Sequence, residues 1–87
     1  MNANQLMESL VELRAELEIS EDIDPKLLEQ ARRLEIEMHE MLNSNELKAE
    51  DRLSEELLAL ETQFAAEHPV IEKILRNIVN TLAQMGI

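Results

Sequence analysis

Residues 67–87 read EHPVIEKILRNIVNTLAQMGI, and this closing stretch decides the fold. Its apolar residues recur every three or four positions, which predicts a helix over residues 69–85. Together they cover almost half of the helix circumference: Ile71, Ile74, Leu75, Ile78, Val79, Leu82 and Met85. A helix with one neighbour needs only a narrow apolar stripe. This helix is therefore expected to pack against two or more neighbours, either inside one chain or at a subunit interface.

Pro69 determines where this helix begins. Proline lacks a backbone N–H donor and disfavours helical geometry at the residue before it, His68. The apolar spacing nevertheless continues across Pro69, so a single kinked helix over residues 46–85 is the alternative. We favour a break because a proline inside a helix costs about 3 kcal/mol. We accordingly interpret Glu67, His68 and Pro69 as a structural turn.

Three similar apolar stripes precede this turn and predict helices over residues 4–19, 25–42 and 46–66. Asp24 and Pro25 have the residue types of a helix N-cap and first helical position. The phase of the stripe changes after the second helix, which predicts a turn there, with Ser44 or Asn45 capping the third helix. Gly86 is expected to end the last helix. The stripes are Leu6, Leu10, Leu13 and Leu17; Leu27, Ala31, Leu34, Met38 and Met41; Leu53, Leu57, Leu60 and Phe64.

These patterns predict an all-α protein that forms a single helical domain over residues 1–87. The expected architecture is a small antiparallel bundle of three to four helices, or paired helical hairpins forming a dimer. A core of this size is marginal alone. We therefore expect a homo-oligomer, with a dimer favoured, and we favour a subunit interface over a monomeric core for the stripe of residues 71–85.

The net charge of the chain limits the classes of molecule that it is expected to bind. The formal net charge is −11, from 19 acidic and 8 basic residues. Such a chain is repelled by nucleic-acid phosphates and anionic lipids, so we expect neither nucleic acid nor membrane as a partner. A basic protein is the better candidate. The absence of cysteine excludes disulfides, and the N-terminus lacks the pattern of a signal peptide, so a cytoplasmic location is expected.

The sequence offers little for catalysis. Glu35 and His39 share a helical face, but the repeated Glu-x-x-His pattern of di-metal bundles is missing. We interpret His39 as a solvated residue on the polar side and His68 as part of the turn. Glu8, Glu12 and Glu16 repeat along one face, as expected of a solvated surface. We therefore predict a non-enzyme without catalytic residues, cofactor or metal.

The chain resembles an uncharacterised bacterial family, domain of unknown function 4404. The resemblance is carried by NQLMESLVELRAELE near the start, by Asp24-Pro25, and by FAAEHPVIEKILRNIVNTLAQMGI at the end. It covers nearly the whole chain and implies a short helical bacterial protein. It implies no activity, so it assigns no functional residues.

We expect a non-catalytic helical module for protein–protein interaction or oligomerisation. One alternative is an acidic regulator that binds a basic protein by imitating nucleic acid. A second alternative is a metal-binding protein that uses His39 or His68 with nearby glutamates. Met7, Met38, Met41 and Met85 are expected in the core rather than at a partner surface. Ile36 lies off the apolar stripe, as a single exposed residue or as part of a contact.

Overall fold

The computed structural model describes residues 2–44 and 51–86, and these form four α-helices in an all-α fold. The helices are α1 Asn2–Ile19, α2 Pro25–Asn43, α3 Asp51–Phe64 and α4 Pro69–Gln84. The prediction of an all-α class is confirmed. Pro69 begins a separate helix rather than kinking a longer one. The predicted start of the third helix at residue 46, and the predicted cap Asn45, lie outside the described residues.

The helix ends follow local chemistry. The Asp24 side chain accepts a hydrogen bond from the backbone N–H of Lys26 at 2.8 Å, and Pro25 occupies the first turn of α2. Ser44 ends the second helix, and whether it also caps the third, as predicted, depends on residues outside the described ranges. Its backbone N–H and its hydroxyl both donate to the Glu40 carbonyl, at 3.0 and 2.8 Å. After α4, Gly86 has φ +80°, the left-handed geometry that a helix-ending glycine supplies.

The helices form an elongated bundle with principal extents of 34 × 20 × 20 Å. Helix α4 packs against both α1 and α3, α1 also packs against α2, and α2 and α3 touch least. Each stripe predicted from sequence points into the bundle, so the core is almost entirely aliphatic. The buried apolar residues are Leu6, Leu10, Leu13, Leu17, Ala31, Leu34, Met38, Leu53, Leu57, Leu60, Phe64, Ile71, Ile74, Leu75, Ile78 and Leu82.

Candidate functional site

A charged cluster lies where α2 packs against α1. Glu35 of α2 is only 3% exposed, and its Oε1 lies 3.1 Å from Nε of Arg14 on α1 and 3.0 Å from Nε2 of His39. The His39 side chain is 18% exposed. Neither Glu35 Oε1 nor His39 Nε2 has a well-oriented hydrogen bond within the described residues. Arg14 and Glu35 therefore attract each other as close opposite charges rather than through an aligned hydrogen bond, and His39 lies beside this pair.

The position of this cluster corrects one prediction. His39 is largely buried, not solvated, because α1 covers the side of α2 that carries Glu35 and His39. The sequence contained a signal for Glu35. It follows Ala31 by four residues and precedes Met38 by three, so it lies on the same face as these two buried residues. A glutamate inside an apolar stripe predicts a buried partner charge.

A small cavity of about 160 Å³ adjoins the cluster. The residues that line it come from α1 and α2 and include both acidic and basic side chains. They are Arg14, Leu17, Glu18, Arg32, Glu35 and Ile36. Arg14 already lies against the Glu35 oxygen, which neutralises the carboxylate that a cation would use. Within the described residues, no three His, Cys, Asp or Glu side chains converge as metal ligands. This arrangement suits an ion pair that joins α1 to α2.

A second charged cluster joins α3 to α4. Arg76 binds Glu72 on its own helix, with Nη2 to Oε2 at 2.6 Å, and reaches Glu61 of α3 at 3.5 Å. Partial burial, and then a hydrogen bond with Glu72, raise the pKa of Glu61. The hydrogen bonds from Arg76 and then Glu61 lower the pKa of Glu72. The two carboxylates therefore differ in proton affinity because burial is the largest influence on Glu61, whereas the hydrogen bonds from Arg76 are the largest influence on Glu72.

A third cluster joins α2 to α3. Arg52 of α3 forms ion pairs with Glu37 of α2 and with Glu56 on its own helix. An arginine thus links each consecutive helix pair among the described residues: Arg14 for α1–α2, Arg52 for α2–α3 and Arg76 for α3–α4. In a chain with more than twice as many acids as bases, these arginines neutralise carboxylates at the helix boundaries.

The apolar face of α4 lies inside the chain. The structure buries five of its seven residues to within 5% exposure: Ile71, Ile74, Leu75, Ile78 and Leu82. Val79 and Met85 are partly buried against the same core. Helix α4 contacts two neighbours, α1 and α3, which accounts for its wide stripe. The width of the stripe was one reason to favour a subunit interface on this face. That reason is wrong, because helices of the same chain already cover the face. The oligomeric state stays a prediction.

The turn before α4 depends on backbone groups. The backbone N–H of His68 donates to the Phe64 carbonyl at 2.9 Å, and the His68 carbonyl accepts from the N–H of Glu72 at 3.0 Å. The His68 side chain makes no capping hydrogen bond. Its ring packs edge-on against Phe64, with the ring centroids 5.7 Å apart. Glu67 and Pro69 are exposed. These contacts give His68 a structural role in closing the turn.

The other residues singled out in the sequence differ in their exposure. Glu8 and Glu12 are exposed and Glu16 is half-buried, on the outer side of α1. Met38 is buried, whereas Met7 and Met41 are half-buried. Ile36 is 49% exposed. Among the four helices as described, none combines the length and the apolar character needed to cross a bilayer.

Comparison with known proteins identifies a family but assigns no activity. No curated protein and no solved structure gives a significant match to the chain. A family model does match, over residues 6–87, and its description is "Domain of unknown function (DUF4404)". The match covers nearly the whole chain and confirms the resemblance drawn from the end sequences. The chain therefore belongs to the DUF4404 family.

Proposed function

We propose that this protein is a small non-catalytic interaction module whose acidic outer surface binds a basic protein. The observation that carries the proposal is the exposed acidic face of α1. Glu8 and Glu12 lie one helical turn apart on this face and are exposed. No basic side chain among the described residues lies within 4.0 Å of either carboxylate, unlike those of Glu35, Glu37 and Glu72. Their charge is therefore available for a partner.

The surroundings of the buried carboxylate favour this binding role over catalysis. General acid–base catalysis needs a titratable group within reach of a bound substrate. Glu35 is already compensated by Arg14, and the core around it is packed with aliphatic side chains. A cytoplasmic location belongs to the same proposal, because the cysteine-free composition is compatible with a reducing compartment.

The test is capture of partners from the cells that make this protein, with the untagged chain coupled as bait. We expect the wild type to retain a basic protein at low salt and to release it at high salt, because salt screens exposed charges. The double variant Glu8→Gln, Glu12→Gln should lose most of that partner. The matched control Glu40→Gln, Glu67→Gln removes the same charge from other exposed positions and should retain it.

Two outcomes would contradict the proposal. One is the absence of any salt-sensitive basic partner in the wild-type eluate. The other is equal recovery of the partner by the α1 variant and its control, which would mean that net charge rather than this face determines binding.

A further inference from the structure

The outer side of α2 carries an unusual surface for so acidic a chain. A shallow groove of about 520 Å³ lies there, bordered by Pro25, Leu28, Glu29, Arg32, Arg33 and Ile36. We call these six residues the arginine face. The positions of Pro25, Glu29, Arg32 and Ile36 follow the 4-3-4 spacing of one helical stripe, on the side of α2 opposite its buried residues. The arginine face therefore combines apolar side chains with charges of both signs.

This face continues into the boundary between α1 and α2. Arg32 and Ile36 also line the 160 Å³ cavity beside Glu35, together with Arg14 and Glu18. The groove and the cavity together are lined by three arginines and three glutamates, so the formal charge of this lining is zero. These residues are Arg14, Arg32, Arg33, Glu18, Glu29 and Glu35. The whole chain has a net charge of −11.

We infer that the arginine face is the contact surface between two copies of this chain, related by a two-fold axis. The inference goes beyond the interaction role proposed above, because it concerns a surface that this role does not use. Two copies of an acidic chain repel each other wherever acidic surfaces meet. The arginine face carries two arginines and one glutamate, and together with the adjoining cavity its formal charge is zero. A surface with both charge signs and no excess of acid removes that repulsion and can pair with itself, which is what a two-fold interface requires. A basic partner would be attracted instead to acidic surfaces such as that of α1.

The helix register gives the pairing. In an antiparallel α2–α2 contact centred between residues 30 and 31, Arg32 of one copy lies opposite Glu29 of the second copy. In the same register Ile36 lies opposite Pro25, so its half-exposed side chain gains an apolar neighbour. The two-fold axis repeats both contacts. Arg33 already pairs with Glu29 of its own helix at 2.9 Å, so each Glu29 would lie between two guanidinium groups.

The first test measures self-association of the full chain by sedimentation equilibrium over a wide concentration range. We expect the wild type to move towards twice the 10.0 kDa chain mass as its concentration rises. Ile36→Asp should weaken dimerisation roughly tenfold or more, because it places two carboxylates against apolar surface. The control Leu58→Asp changes a residue of equal exposure, 50%, on α3 and should leave the dimer unchanged.

A charge exchange tests the register directly. Glu29→Arg alone and Arg32→Glu alone each place like charges opposite each other in a homodimer, and each should weaken it roughly tenfold or more. Mixed in equal amounts, the two variants restore opposite charges at both sites and should form a heterodimer. Circular dichroism of each variant checks that the helices remain folded, because Glu29→Arg also removes the pair with Arg33.

A wild type that stays monomeric at every concentration would overturn the inference. So would an Ile36→Asp dimer as strong as the Leu58→Asp dimer, or a mixture of the charge variants that stays monomeric. These results are distinguishable from failure of the proposed function. A monomer that still retains its basic partner would overturn only the dimer, and a dimer without a basic partner would overturn only the proposed function.

Discussion

Helices α4 and α2 show two different uses of an amphipathic helix in one small bundle. Helix α4 buries six residues, five of them aliphatic, and packs against both α1 and α3. Helix α2 buries only four, one of which is the charged Glu35, and packs mainly against α1. Its opposite side leaves Ile36 half-exposed between arginines.

This difference shows how an apolar stripe should be interpreted. The width of the α4 stripe reports the number of helices around it within the chain, not a surface kept for a partner. The narrower stripe of α2 belongs to a helix at the edge of the core. A surface for association is therefore better sought on α2, where exposed apolar and charged groups are interleaved.

The largest expected effect comes from the same substitution made on the two helices. Ile78→Asp should unfold the protein, because Ile78 is fully buried and an unpaired buried carboxylate costs several kcal/mol out of a total stability of about 5–15 kcal/mol. Ile36→Asp should keep its helical content and, in dilute solution where the wild type is monomeric, its unfolding midpoint, because Ile36 is half-exposed. Circular dichroism during thermal unfolding measures both variants. A folded Ile78→Asp variant with the wild-type midpoint would refute the assignment of α4 to the core.

A smaller effect is expected from the ion pair that holds α2 against α1. Arg14→Met keeps the aliphatic part of the side chain but leaves the buried Glu35 carboxylate with His39 alone. We expect a loss of about 1–3 kcal/mol in the free energy of unfolding, measured by urea titration. Arg33→Met removes an exposed pair with Glu29 and should cost only about 0.3–0.5 kcal/mol. Equal losses would mean that burial of Glu35 contributes nothing.

The N-terminus of α2 gives a prediction of about 1 kcal/mol. Asp24→Ala removes the side-chain oxygen that accepts the Lys26 N–H, and loss of such a cap typically costs about 1 kcal/mol. Glu21→Ala in the same connection is the control and should change stability little, because Glu21 is exposed. Urea titration of the two variants measures the difference. Equal stability of both would show that Asp24 does not hold the start of α2.

The smallest effect concerns pH and the α3–α4 boundary. The pKa of Glu61 is raised in the folded state, so its contribution favours folding below its unfolded pKa and is lost as pH rises through the folded value. Glu61→Gln imitates the protonated form. The variant should be a few tenths of a kcal/mol more stable than wild type at neutral pH, and this difference should shrink towards zero below about pH 4.

Glu72 supplies the matched comparison because its pKa is lowered. Its contribution is present above the unfolded pKa and is lost as pH falls through the folded value. Glu72→Gln should therefore be less stable than wild type at neutral pH, and the difference should shrink as acid is added. Urea titrations at several pH values measure both variants. Shifts of the same sign for the two variants would contradict the assigned pKa directions.

The sequence predicted most of the fold because its signals are local. Spacing, proline chemistry and the Asp24 cap act within one or two helical turns, so the helices and the break at Pro69 could be deduced. The ion pair of Arg14 with Glu35 joins residues 21 positions apart, and its formation depends on which helices become neighbours. For the same reason the sequence left open whether α4 faces its own chain or a second one. Glu35 lies within the apolar stripe of α2. A charged residue at that position was the sequence signal that another helix covers this side of α2.

Amide hydrogen exchange at low and high protein concentration tests the central contrast most directly. Exchange protection reports the free energy of local opening along each helix. The account predicts that protection of α4, Pro69–Gln84, is high and independent of concentration, because its apolar face is covered within one chain. Protection of α2, Pro25–Asn43, should be lower in dilute solution and should rise with concentration as the arginine face pairs. Protection that rises in α4 and stays constant in α2 would contradict the account and return the subunit interface to α4.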